Sequence, residues 1–153
     1  MDFKIEGPYL EKANLCAPII RALPEWFGIE AAIIHYSTEI DILPTFLAFE
    51  GKHVVGFLSI KQHNPYSAEV YIMAVLPESH HKGIGRLLIK HSQDWLKSKG
   101  VQYLQVKTLG SSHPDKSYAA TRLFYEVVGF VPLEESTQIW DEHNPCLIMV
   151  KKL

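Results

Sequence analysis

The run His80-His81-Lys82-Gly83-Ile84-Gly85-Arg86 is the part of this chain best suited to chemistry on a phosphate. Glycines let a backbone approach a ligand closely, and the unpaired N–H groups of a helix's first turn add to the positive end of its dipole. A diphosphate would bind there through the backbone N–H groups of residues 81–85, with Lys82 and Arg86 adding local charge. His80 and His81 can each donate a hydrogen bond, although a histidine grips a diphosphate less than an arginine would. Read blandly, the two imidazoles belong to a solvated loop and the glycines to a turn. Two rival phosphate motifs fail: a dinucleotide fingerprint needs a third glycine where Leu88 stands, and a P-loop needs Gly-Lys-Ser/Thr, which is absent. His143 and Cys146 are the nearest thing to a metal pair. The eight histidines otherwise show no HxxxH or Cys-His cluster, so no metal site is predicted.

The cradle needs a strand before it and a helix after it, and the periodicity supplies both. Residues 69–76 form a β-branched, apolar run that ends at Pro77, as a strand would. After the glycines, Ile84, Leu87, Leu88, His91, Trp95 and Leu96 recur at three- and four-residue steps, and Lys97, Lys99 and Gly100 close the helix. Residues 101–107 alternate as a strand, so 69–107 should be a β-α-β unit with parallel strands. A loop at 108–117 precedes a helix near 118–128, whose Leu123, Phe124, Val127 and Val128 should face inward, with Gly129 as its cap. Upstream, residues 2–6 read as a short strand, Lys12–Leu23 and 29–40 as helices, and 45–50 with 53–62 as a hairpin about Gly51-Lys52. A polar turn at 63–68 then makes a three-stranded antiparallel meander. Strands near 130–139 and 146–152 complete an α+β layout with a mixed, mostly antiparallel sheet.

At 153 residues the chain fits one domain spanning 1–153, large enough to bury a core without staples. Hydrophobic content of 47% and charged content of 21% are ordinary for a globular protein, and no segment reaches the apolar length that spans a bilayer. The N-terminus has no signal-peptide pattern, and Cys16 and Cys146 show no ligand-like spacing, so a reducing cytoplasm is the expected home. A formal net charge of -2 without a long basic run gives no reason to expect nucleic acid.

The β-α-β unit and the following helix, about 69–130, resemble the GNAT superfamily of acyl-CoA-dependent N-acetyltransferases. The family's pyrophosphate motif, Arg/Gln-x-x-Gly-x-Gly/Ala, is met at Gly83 and Gly85, with His80 in place of the leading Arg/Gln. A second signature, Tyr-Glu-x-x-Gly-Phe, stands at Tyr125-Glu126-Val127-Val128-Gly129-Phe130, and its usual upstream Asn is replaced by Tyr118. The first 60 residues match in element order only.

The resemblance implies a six- to seven-stranded sheet flanked by about four helices, with two central strands splayed in a V that admits acetyl-CoA as co-substrate. It implies backbone contacts from Met73, Ala74 and Val75 to pantetheine, with the Val75 N–H polarising the thioester carbonyl. Donors of that kind matter by about 2.7–4 kcal/mol. It also places Glu69 where several relatives carry a general base. An amine of pKa about 10.4 is only roughly one part in 2,500 neutral at pH 7, a handicap on the order of 4.6 kcal/mol, so a base is useful. Glu69 reads equally as a strand end in water. Tyr125 stands where the family often keeps the tyrosine that protonates or holds the departing thiolate. With a phenol near 10 and a thiol near 8.5, full transfer is uphill by about 2 kcal/mol. Its alternative is core packing.

The acceptor implied is a primary amine of a small molecule or peptide. Trp26, Phe27, Tyr36 and Trp140 are candidates for an apolar acceptor pocket, and Glu30, Asp141 and Glu142 for attracting a cationic amine; each reads also as core or surface. Two competitors come from other classes: a non-catalytic acyl-CoA-binding regulatory domain and a plain interaction domain. Homodimers fit such folds, but no interface is located.

Overall fold

The computed structural model describes residues 2–153 and carries β1 (Phe3–Tyr9), α1 (Ala13–Arg21), α2 (Glu30–Ile42), β2 (Thr45–Glu50), β3 (His53–Gln62) and β4 (Ser67–Val75). A 3-10 turn at Pro77–Ser79 leads to α3 (Ile84–Ser98), β5 (Tyr103–Leu109), α4 (Lys116–Val127), β6 (Val131–Asp141) and β7 (Asn144–Lys152). The seven strands form one sheet in the order β1-β2-β3-β4-β5-β7-β6. All neighbours are antiparallel except β4 and β5, which run parallel. The expected mixed sheet of six or seven strands with about four helices is thus observed. Among the described residues, no helix is long and apolar enough to cross a membrane.

The sheet buries both faces. On one side Ile84, Leu88, Ile89 and Leu96 of α3 pack with Leu58, Ile60, Val70 and Leu104 of the strands, and Tyr125 and Phe130 join them. On the other, Cys16, Ile19 and Ile20 of α1 and Ile33 and Ile40 of α2 cover Leu47, Phe57, Ile72 and Ala74. Burying large apolar side chains at about 25 cal/mol per Å² of apolar surface makes these two layers the main source of stability.

Several expectations shift for physical reasons. β5 begins at Tyr103, not Val101, because the Val101 N–H bonds back to the Leu96 carbonyl at 3.1 Å, with Gly100 at φ +83°. Val101 therefore closes the end of α3 as the second residue past its C-cap, Lys99. His91 is exposed, and Ile89 and Ser92 take inward places on α3 instead. On α4, Leu123 and Val127 are 60% and 59% exposed, against the inward orientation predicted for them. That helix presents a narrow face, burying only Tyr125 fully while Phe124 and Val128 pack at the margin.

One irregularity decides where the cleft forms. β3 and β4 pair in register at Ser59↔Ile72 and Ile60↔Val70, which leaves Tyr71 as an extra residue in β4. An extra residue bends its strand and reverses the inward alternation beyond it. Ala68 and Val70 accordingly face the α3 layer, whereas Ile72 and Ala74 face the α1–α2 layer. The parallel pairing of β4 with β5 stops at Val70↔Val106, immediately before the bulge. From there β4 stays with β3 and β5 with β7, so the two strands part as the expected V.

Candidate functional site

A cleft of about 880 Å³ opens at this parting and runs between the two layers. β4 lines it from Glu69 to Val75, β5 contributes Val106, Lys107 and Thr108, and α3 presents Gly83, Ile84, Gly85 and Arg86 at its first turn. Tyr118, Phe124 and Tyr125 close it from α4. His80 and His81 also line the cleft, so of the catalytic and cofactor-binding residues singled out from the sequence only Lys82 lies off its surface.

The two glycines of the cradle serve different ends. Gly83 caps α3 at φ +83°, a conformation that β-carbon sterics disfavour, and a Cβ built there meets nothing within 4 Å. It is a cradle that a side chain would fill. A Cβ on Gly85 would lie 3.0 Å from the Phe124 ring, so this glycine seats α4 against α3. His80 does not aim its Nε2 at an incoming phosphate: that nitrogen lies 2.7 Å from the Val75 carbonyl, which can only accept, so Nε2 carries the proton. The imidazole thus braces the end of β4, edge-on to Trp26 with ring centroids 6.0 Å apart.

Glu69 is a buried carboxylate, 6% exposed, at the foot of the V. Its Oε1 accepts from His63 Nε2 at 2.7 Å and from Lys107 Nζ at 3.2 Å. His63 and Lys107 are both part-exposed, so the carboxylate joins the cleft to solvent through the imidazole. Neither partner was singled out in the sequence. They reach Glu69 only through sheet register, since β3 and β5 flank β4.

Tyr125 sits between the rings of Phe124 and Phe130, both at 5.4 Å between centroids. Burial pushes its phenol well above the ordinary value of 10, with the neighbouring Tyr118 adding to the rise. Tyr118 is itself pushed up to about 12, again chiefly by burial. Its hydroxyl donates to the Trp26 carbonyl at 3.1 Å, while its amide donates to the Asp115 cap of α4. The residue that replaces the expected asparagine thus ties α4 to the segment before α2. Thr108 was also missed: its Oγ1 is buried without a hydrogen-bond partner, although the residue lines the cleft. A buried hydroxyl left unpaired is costly.

Trp26, Phe27, Tyr36 and Trp140 all line the cleft, as their aromatic character suggested. The three surface acids do not. Glu30 pairs with Arg21 on the surface at 2.5 Å, Asp141 accepts from His143 and Asn144 in the β6–β7 turn, and Glu142 is exposed there. Among the described residues no group of three His, Cys, Asp or Glu side chains is placed to hold a metal ion.

The fold is matched in known proteins. A family model described as an acetyltransferase (GNAT) domain matches residues 43–132. An uncharacterised N-acetyltransferase of Chlorobaculum tepidum is 28% identical over 136 residues, covering 85% of this chain and 81% of that protein. A Desulfovibrio desulfuricans structure assigned to the GNAT family superposes with a TM-score of 0.86 at 18% identity, covering 99% of both chains. The PaiA N-acetyltransferase of Thermoplasma acidophilum, solved in complex with coenzyme A, gives 0.76 at 19% identity over 100% of both chains.

Proposed function

The chain belongs to the GNAT acetyltransferase family, and on that premise we propose that it transfers an acetyl group from acetyl-CoA directly to a primary amine of a small molecule or peptide. The observation that carries this reading is the coincidence of three features in one cleft: the φ-positive cradle at Gly83, the parting of β4 from β5 at the Tyr71 bulge, and Tyr125 with Glu69 facing the same space.

In this reading the diphosphate of acetyl-CoA lies on the amides at the start of α3, aided by Arg86, and the pantetheine arm enters the V beside Met73, Ala74 and Val75. His80 holds the Val75 carbonyl and thereby fixes the orientation of the peptide beside the thioester. The unpartnered Thr108 hydroxyl supplies a hydrogen bond to the arm. Glu69 takes the proton of the attacking ammonium, directly or through water, and His63 offers that proton a way to solvent. The amine then attacks the thioester carbon, the C–S bond breaks as the C–N bond is established, and the excess proton left on the nitrogen passes to the departing thiolate, so that amide and free thiol are released. With its phenol raised by burial, Tyr125 stays protonated throughout the physiological range. Each unit of mismatch with the thiol costs about 1.4 kcal/mol, so a hydrogen bond to the developing thiolate is favoured over completed transfer.

The competing reading is a regulatory domain of the same fold that binds acyl-CoA without catalysis. Thiol release measured across a panel of amines decides between them, with Tyr125→Phe as control. The transferase reading expects acceptor-dependent release and about a 10²-fold fall in kcat for the variant. Acetyl-CoA binding with no acceptor-dependent thiol would support the regulatory domain, and a variant equal to wild type would remove the role given to Tyr125.

A further inference from the structure

The charges inside the cleft point to the class of amine it takes. Its only lining carboxylate among the described residues, Glu69, is already shared between Lys107 and His63. A second cation at the same end, Lys61, has no carboxylate within 4.0 Å among the described residues, and its ammonium stands 5.8 Å from the centroid of the Tyr71 ring. Lys61 is level with Glu69 in the β3–β4 register, so paired side chains place it on the same face. The remaining lining charge, Arg86, sits at the cradle, and His35, Tyr36 and Tyr71 are further titratable groups of the lining. Glu39 of α2 is close enough to Tyr71 to help raise its phenol, but it does not line the cleft. The acceptor end therefore holds an excess of positive charge over an aromatic wall.

A polyamine or aminoglycoside entering this space would bring extra ammonium groups with no unpaired anion in the cleft lining to receive them, and like charges at the cleft's exposed rim, where Lys61 stands, repel. We infer that the acceptor is an amine that also carries a carboxylate, which Lys61 receives, on an apolar or aromatic body that packs against Tyr36 and Tyr71. A charge-assisted pair in a site of this kind discriminates by about tenfold or more. The inference rests on the N-acetyltransferase reading above and narrows it.

Matched acceptors test it. Phenylalanine is compared with phenethylamine and tryptophan with tryptamine, with spermidine as the polycationic arm, by thiol release under saturating acetyl-CoA. The carboxylated member of a pair should have a kcat/KM about tenfold higher, and spermidine should be the poorest. Lys61→Gln should collapse that preference by raising KM for the carboxylated acceptor about tenfold, and Lys61→Arg should retain it. Acetyl-CoA affinity, read by calorimetry, verifies that both variants are folded. Preference for the decarboxylated amines or for spermidine, or a preference untouched by Lys61→Gln, overturns the carboxylate while leaving the transferase standing. Release of thiol with no amine of any class overturns the transferase reading and this inference with it.

Discussion

Glu69 shows how one side chain's neighbours change what it can be asked to do. As a strand end in water it would be a spare charge; inside the sheet it accepts from an imidazole and an ammonium through the same oxygen. If it is the base, Glu69→Gln should lower kcat by about 10²–10⁴-fold with acetyl-CoA affinity unchanged. His63→Gln, which keeps a hydrogen-bond donor but cannot relay a proton, should lower kcat less and shift the kcat–pH profile. A Glu69→Gln enzyme that works at full rate, losing only melting temperature, would assign the cluster to stability. Thr108 allows a cleaner experiment, because its hydroxyl has no partner to lose within the chain. Thr108→Val should keep or raise thermal stability, since an unsatisfied buried hydroxyl is removed, yet weaken acetyl-CoA binding by about fivefold if that hydroxyl meets the pantetheine arm. Unchanged affinity in calorimetry would exclude the contact.

At the scale of elements, the glycine pair separates into a cradle and a packing contact. Alanine at Gly83 must adopt φ near +83° and sends its methyl into the open space of the cradle. The expected outcome is a stability loss of about 1–2 kcal/mol together with at least tenfold weaker acetyl-CoA binding, whereas native affinity would dismiss the cradle. Alanine at Gly85 should act through Phe124 and its neighbour Tyr125, lowering kcat more than affinity. In the sequence these glycines read as a single motif, because spacing alone does not distinguish a positive φ from a close ring. The helix after them, the hairpin at Gly51-Lys52 and the succession of helices and strands along the chain were legible, since each rests on local periodicity and turn chemistry. The bulge at Tyr71 was not. Ser67–Val75 contains neither Gly nor Pro, and a strand with nearly every position apolar conceals a change of parity. The wrongly inward Leu123 and Val127 have the mirror-image cause: their apolar pattern is helical, but α4 meets the sheet along one narrow edge. Contacts such as Lys107 with Glu69, 38 residues apart, exist only once register is set.

For the molecule as a whole, the two buried layers hold several weak acids in neutral form, which makes stability depend on alkaline pH. Cys16 is fully buried in the α1–α2 layer, and burial, then Asp41, raises its thiol from 9.0 to about 12. Tyr118 is raised from 10.0 to about 12, Tyr125 further in the same direction, and Tyr36 and Cys146 also move upward, each chiefly through burial. Between the unfolded and folded values the unfolded chain has released protons that the folded chain still binds. Folding stability is therefore complete below about pH 9 and falls as pH rises from 9 toward 12, by up to about 1.4 kcal/mol per pH unit for Cys16 alone. Lys151 works the other way, since burial lowers its ammonium from 10.5, but it is one group against many. Melting temperature should thus stay level from pH 7 to 8.5 and then decline with increasing steepness to pH 10.5. Cys16→Ala should start from a lower melting temperature because it opens a void, and should decline less over the first unit above pH 9. A melting curve indifferent to pH across that window would mean that these groups meet water readily, and the close packing of α1 on the sheet would have to be given up with it.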